Sequence, residues 1–311
     1  MQIALKALSN VDVDIKKNYK LIRQFERTVK KPRIKKLMYQ TWDYNVKNGE
    51  YEVPMRIYTP SGKNTEGPDN IKYPVIVFLH GGGWATGDLD SYESVCLTIA
   101  AQTRHIVIAV DYRLAPEYPF PAALTDCHSA LQSVLRWNDV SNSPHKLTLM
   151  GDSAGGNLAA ALSLYMRDRG EKVADRQILI YPAVYNDHTE NSPFASVSEN
   201  GKDYVLTAKN ICDFMDLYCG EEERDNPYVA PLLARDFSNQ PDTLIITAQY
   251  DPLRDEGEQY GRKLKEAGNV VSVCRIEDTL HGYFVLPVRF SAVKKSYDVI
   301  NRFLRGDMTD A

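Results

Sequence analysis

The chain is short of several features that would settle its class at once. Its five cysteines, Cys96, Cys127, Cys212, Cys219 and Cys274, are odd in number, scattered, and make no C-x-x-C pair. That argues against a disulfide framework or a zinc site and for reduced thiols in a cytoplasmic protein. No apolar run approaches the ~20 residues of a membrane span. The opening MQIALKALSN has no apolar core of signal-peptide length. Excess charge of one sign is missing too: 37 basic against 41 acidic residues leave −4, which gives no electrostatic case for nucleic acid. No internal repeat or low-complexity tract is present. Neither G-K-[ST] nor G-x-G-x-x-G occurs in a glycine-rich loop, so phosphate and dinucleotide binding lack their motifs. What remains, 43% hydrophobic and 25% charged residues over 311 positions, is the composition of an ordinary soluble globular protein.

The informative stretch is Lys146 to Arg169, KLTLMGDSAGGNLAAALSLYMRDR. Leu147 to Met150 reads as a buried strand, and the alanine- and leucine-rich run from Asn157 to Arg169 as a helix. Between them lies Gly151-Asp152-Ser153-Ala154-Gly155, a G-x-S-x-G pentapeptide in strand–turn–helix context. Small residues at Gly151 and Gly155 let strand and helix approach closely, which lifts the Ser153 hydroxyl out of the backbone. The same turn puts the Ala154 amide at a helix N-terminus, where developing negative charge is favoured. Read blandly, Ser153 is only a helix cap in a glycine-rich turn. Its context and the partners below weigh against that.

Strands and helices alternate through the rest of the chain. Ile15, Tyr19, Ile22, Phe25 and Val29 stand at helical spacing in a basic N-terminal segment that Pro32 ends or kinks. A basic amphipathic helix can bind membrane surfaces, but packing on its own protein is the commoner use. Lys47-Asn48-Gly49-Glu50 supplies the turn of a hairpin between Met38 and Thr59. The polar stretch from Ser61 to Tyr73 reads as a surface loop. Val75 to Leu79, Ile106 to Val110, Gln177 to Tyr181, Thr243 to Gln249 and Val270 to Ile276 read as strands. Ser91 to Thr103, Pro121 to Trp137, Asp255 to Ala267 and Ser291 to Leu304 read as helices. That order predicts an α/β fold, a mostly parallel sheet flanked by helices. Ala183 to Arg235 is too long for an ordinary connection, carries a helix-like run from Thr207 to Cys219, and reads as part of a lid.

A serine needs a base, and the base an orienting acid. Of six histidines, only His281 sits where a base should, on a loop just past the strand ending at Ile276; His105, His128, His145 and His188 lie before or inside helices, or within the insertion. Asp251 directly follows the strand ending at Gln249, whereas Asp255 opens a helix, where a carboxylate ordinarily serves the N-terminus. The chain order Ser153, Asp251, His281 is that of α/β-hydrolases. His80-Gly81-Gly82-Gly83-Trp84 follows a buried strand, and its glycines can turn amide donors into a cavity.

With these residues in place, the chain resembles the hormone-sensitive-lipase-like (family IV) branch of the α/β-hydrolase carboxylesterases. The resemblance rests on His80 to Trp84, Asp111-Tyr112-Arg113-Leu114-Ala115-Pro116-Glu117 with Pro119 to Ala122, Gly151 to Gly156, Asp251 to Gly257, and His281-Gly282-Tyr283. It implies an α/β-hydrolase domain over residues 1–311 with a helical cap from about 1–40 and 183–235. It also implies short- to medium-chain ester hydrolysis through an acyl-serine, with no cofactor and no metal. Ser153, Asp251 and His281 would be catalytic. Gly82, Gly83 and Ala154 would be the oxyanion donors, and His80 would shape the loop. Members often dimerise through the sheet edge, though nothing in this sequence shows it. Tyr283 stands where phenylalanine is more usual, so its hydroxyl is a candidate substrate contact. Trp84, Phe214 and Tyr218 are candidate pocket walls by location, as are Phe194, Tyr204 and Phe284. Amide or peptide hydrolysis and long-chain lipase action are the alternatives on the same triad. A non-catalytic ligand receptor is disfavoured because all three triad residues are present. The expected partner is a small-molecule ester, with no stable membrane insertion.

Overall fold

Val75–Leu79 (β3) is buried along its whole length. Its side chains alternate between two apolar layers: Val75, Val77 and Leu79 join one, Ile76 and Phe78 the other. The computed structural model describes residues 14–29, 41–60, 73–140 and 146–307. Pro32, His145 and, of the loop expected from Ser61 to Tyr73, all but Tyr73 lie outside the described residues. Eight strands form one sheet, in the order β1-β2-β4-β3-β5-β6-β7-β8. Thr41–Asn48 (β1), Tyr51–Tyr58 (β2) and Ile106–Val110 (β4) pair antiparallel in succession. β3, β4, Leu147–Asp152 (β5), Arg176–Ile180 (β6), Asp242–Tyr250 (β7) and Val271–Leu280 (β8) are mutually parallel.

Glu93–Thr103 (α2) and Ser291–Arg305 (α8) bury Val95, Ile99, Val293, Tyr297 and Ile300 on one face of the sheet. Ala122–Val140 (α3), Ala154–Asp168 (α4) and Arg254–Glu266 (α7) bury Leu124, Leu131, Leu158, Leu162, Tyr260 and Leu264 on the other. The alternation expected of the chain is therefore a doubly covered sheet. Among the described residues, no helix is long and apolar enough to cross a membrane.

Of the boundaries that differ from the sequence reading, three have a clear tertiary reason. Asn48 pairs with Tyr51, so Gly49 and Glu50 are the two turn residues, and Gly49 takes the positive φ (61°) of a type II′ first position. α4 starts at Ala154 rather than Asn157, because the low helix propensity of Gly155 and Gly156 is overridden by close packing against β3 and Pro182. β8 runs on to Leu280 through the polar Glu277 and Asp278; at the sheet edge these two side chains are exposed, so they do not end the strand.

Two segments lie outside this frame. Ile15–Val29 (α1) is capped by Asp14, whose carboxylate accepts from the Lys17 amide at 3.2 Å. The insertion after β6 contains Ala195–Asn200 (α5) and Ala208–Tyr218 (α6), the latter capped by Thr207. α1 packs on α6, where Lys16 pairs with Asp216.

Candidate active site

Ser153, Asp251, His281 and the turn of Gly82 and Gly83 all hang from the carboxyl ends of parallel strands, the usual place for chemistry in open α/β sheets. β5 delivers Ser153 at φ 53° and ψ −119°, left-handed backbone that is strained for a residue with a Cβ. The turn holds because nothing else fits. A Cβ on Gly151 would stand 2.2 Å from the Gly155 carbonyl oxygen, and one on Gly155 2.0 Å from that of Leu79. The Ser153 amide donates to Ile180 O at 2.9 Å, tying the elbow to β6.

His281 follows β8 directly. Its Nε2 lies 2.9 Å from Ser153 Oγ, and its Nδ1 2.7 Å from Asp251 Oδ2. Asp251 follows β7 and is fully buried. Its other oxygen accepts the Leu253 amide at 2.9 Å, so both oxygens have partners. The Tyr181 ring lies 4.6 Å from that of His281, and burial holds its phenol well above the ordinary value, so it remains a neutral donor. The structure thus brings together a hydroxyl, an imidazole and an orienting carboxylate. Asp255, the other acid weighed, is occupied elsewhere: it accepts the Ser196 amide at 2.8 Å and pairs with Arg254.

The turn after β3 completes the site. Gly82 has φ 124° and Gly83 φ 59°. Among the described residues, neither amide has a hydrogen-bond acceptor. Ala154 opens α4, so its amide has no partner within the helix. Gly82, Gly83, Ala154 and Ser153 all line one cleft. His80 is buried, its ring stacked 4.3 Å from Tyr112, and its carbonyl accepts the Tyr112 hydroxyl at 2.7 Å. It props the turn.

The cleft has a volume of about 280 Å³. Its far wall is α1 and the insertion: Ile15, Ile22, Val205, Leu206, Ile211 and Phe214, almost wholly apolar. Trp84 and Phe214 are on the wall as expected from their location. Tyr218 and Tyr283 are not. Tyr218 is fully buried with its ring stacked 4.5 Å from Trp84, so it backs the wall rather than forming it. The Tyr283 hydroxyl turns away to Ser296, 2.6 Å distant, because Gly282 in a left-handed conformation reverses the chain after His281. Phe194, Tyr204 and Phe284 pack on Tyr185, Tyr250 and Tyr297 respectively. An aromatic residue near a motif in sequence says nothing of which way its ring points.

The sequence did not show what several other residues touch. Asp152 accepts the Gly81 amide at 2.8 Å and the Tyr92 hydroxyl at 3.1 Å. Asn157 is fully buried; it accepts Trp84 Nε1 at 3.2 Å and donates to Ala183 O and Val229 O at 2.6 and 2.8 Å. Glu256 receives the Val184 and Tyr185 amides and His188, fastening the start of the insertion. Ile15 and Ile22, seven apart on α1, carried a helical signal, but nothing named the surface they would face.

A family profile described as the alpha/beta hydrolase fold matches residues 76–285. An arylesterase of Saccharolobus solfataricus is 34% identical over 255 residues, 80% of this chain and 78% of that protein. The esterase LipI of Mycobacterium tuberculosis is 35% identical over 261 residues, covering 82% of this chain and 79% of its own. Among solved structures, a hyperthermophilic esterase from the archaeon Pyrobaculum calidifontis superposes with a TM-score of 0.84 at 30% identity, over 98% of this chain and 96% of that one. The chain belongs to the α/β-hydrolase-fold family, in its hormone-sensitive-lipase-like branch of carboxylic-ester hydrolases.

Proposed function

We propose that this protein hydrolyses short- to medium-chain carboxylic esters through an acyl-serine intermediate. The observation that carries the reading is the hydrogen-bonded chain from Ser153 Oγ through His281 to buried Asp251, facing the amides of Gly82, Gly83 and Ala154 across one cleft.

Ser153 Oγ attacks the ester carbonyl carbon while His281 Nε2 takes its proton. Asp251 accepts a hydrogen bond from Nδ1–H, which fixes the tautomer and stabilises the imidazolium. The carbonyl oxygen becomes an oxyanion on the Gly82, Gly83 and Ala154 amides; each such donor is worth roughly 3 kcal/mol of barrier. The C–O bond breaks and the alcohol leaves with the proton from His281. Water then attacks the acyl carbon, giving its proton to His281. The second tetrahedral intermediate expels Ser153 Oγ, which recovers that proton as the carboxylic acid departs.

The cleft supports the substrate class. Its volume of about 280 Å³ is at the small end of the roughly 300–1,000 Å³ of small-molecule sites. The wall that faces Ser153 offers apolar surface for a modest acyl chain, with α1 and the insertion acting as a cap.

The test is hydrolysis of p-nitrophenyl acetate, butyrate, octanoate and palmitate, with Ser153→Ala as control. Ser153-dependent turnover peaking at acetate or butyrate is expected. A maximum at palmitate would reassign the protein as a lipase. No Ser153-dependent hydrolysis of any ester would refute the reading.

A further inference from the structure

The oxyanion turn is built from three consecutive glycines, the most permissive backbone available, and belongs to no helix or strand. Its shape must therefore be imposed from outside. Inside the turn, the Gly82 carbonyl accepts three donors: Ala85 N at 3.1 Å, Thr86 N at 2.8 Å and Thr86 Oγ1 at 3.1 Å. Carbonyl and amide of one trans peptide point in opposite directions. Fixing the Gly82 oxygen on that side therefore aims the Gly83 N–H at the cleft that Gly83 lines. What fixes the donors in turn comes from the N-terminal helix.

Arg23 of α1 is only 20% exposed. Its Nε donates to Ala85 O at 2.6 Å and its Nη2 to Ala115 O at 2.7 Å. Ala115 N in turn donates to Trp84 O at 2.9 Å. One guanidinium thus holds Ala85 directly and Trp84 through one intermediary, the two residues that follow Gly83. The remaining donors meet Glu117, with Nη1 to Oε1 at 3.1 Å and Nη2 to Oε2 at 2.9 Å. Tyr19, one turn back on α1, reaches the same carboxylate at 3.4 Å. A lysine could not do this, because a single ammonium cannot span two carbonyls and a carboxylate as a planar fork does.

We propose that Arg23 is a positioning residue for the oxyanion turn, so that docking of α1 sets the transition-state donors as well as a wall of the cleft. The proposal rests on Gly82 and Gly83 being oxyanion donors, and so on the ester-hydrolase reading above. A residue that only anchored α1 would, when lost, disturb the apolar wall and raise KM. One that holds the turn must act on kcat.

The experiment uses the full chain with Arg23→Ala, Arg23→Lys and Glu117→Gln, alongside wild type and Ser153→Ala. kcat and KM are measured on p-nitrophenyl butyrate, with the inhibition constant of a trifluoromethyl ketone of matching acyl length, which forms a tetrahedral oxyanion adduct on serine. Arg23→Ala is expected to lower kcat about tenfold, less than the 10²–10³ for deleting a donor outright. It should weaken the ketone by a similar factor and leave KM within threefold. Arg23→Lys should fall between Arg23→Ala and wild type. A kcat within twofold of wild type, or a loss carried by KM alone, would overturn the proposal. Should Arg23→Ala fail to fold, the two milder variants decide. A kcat loss of more than twofold in Arg23→Lys supports the latch, and kcat within twofold in both variants overturns it. Wild type without Ser153-dependent turnover would sink the ester-hydrolase reading and this proposal together. An active wild type beside an unaffected Arg23→Ala would sink only the latch.

Discussion

Gly81 gives its amide to the Asp152 carboxylate at 2.8 Å, across 71 positions of sequence. The bond joins the turn of Gly82 and Gly83 to the elbow that presents Ser153. The Tyr92 hydroxyl closes the triangle, donating to the other Asp152 oxygen at 3.1 Å and accepting from Gly81 N at 3.1 Å. Asp152 is 2% exposed, so these partners replace water.

Asp152→Ala removes the acceptor shared by the Gly81 amide and the Tyr92 and Tyr181 hydroxyls, at about 1–3 kcal/mol for each buried donor left unsatisfied. The expected cost is about 3 kcal/mol by urea unfolding, together with a tenfold or greater drop in kcat on p-nitrophenyl butyrate. Asp152→Asn keeps an acceptor for Gly81 and should lose much less. A folded Asp152→Ala with wild-type kcat would show that the turn does not need this tie.

Ser153 stands in strained left-handed backbone, a state worth about 1–3 kcal/mol. Glycine relieves it but loses roughly 0.5–1 kcal/mol of extra chain entropy. Ser153→Gly should therefore unfold about 1 kcal/mol later than Ser153→Ala, both being inactive. Equal stabilities would mean that the elbow stores no strain.

Tyr283 offers the opposite test. Its hydroxyl is spent on Ser296 and its ring is buried against Tyr181. Tyr283→Phe should cost about 1 kcal/mol, one neutral hydrogen bond, and leave kcat/KM unchanged along the acyl series. A change in chain-length preference would put the hydroxyl back in contact with substrate.

Asp255, in the first turn of α7, fastens α5 to that helix by accepting the Ser196 amide. Burial raises its pKa, but the bonds from Arg254 and Ser196 outweigh that and hold it below its ordinary 3.8. As pH falls, the unfolded chain takes up this proton before the folded one does. The stabilisation is then complete at neutral pH and is lost as pH falls from the ordinary aspartate range through the lowered folded value. Asp255→Asn lacks it at every pH. The stability gap between wild type and variant should stay constant from pH 7 to about 5 and narrow below about 4. A gap independent of pH down to 3 would deny the linkage.

The sequence by itself determined the layers and named the residues that the strand ends bring together. Uninterrupted apolar strands such as Val75 to Leu79 must be buried on both faces, and the alternation of strand and helix leaves a parallel sheet as the solution. Ser153, Asp251 and His281 were legible because each sits at a strand end, and strand ends of a parallel sheet share one edge. The glycine run after β3 was legible as a sharp turn that can point amides into a cavity, while singling out Gly82 and Gly83 within it came from the family resemblance. Tertiary structure alone decided what the motifs touch. No local pattern distinguishes Trp84, on the cleft wall, from Tyr218, stacked behind it. None sends Arg23 to Ala85, 62 residues onward, or Tyr92 to Asp152. Periodicity records which residues leave water. The partners they then meet depend on how separate elements pack, and that is written in no single stretch of the chain.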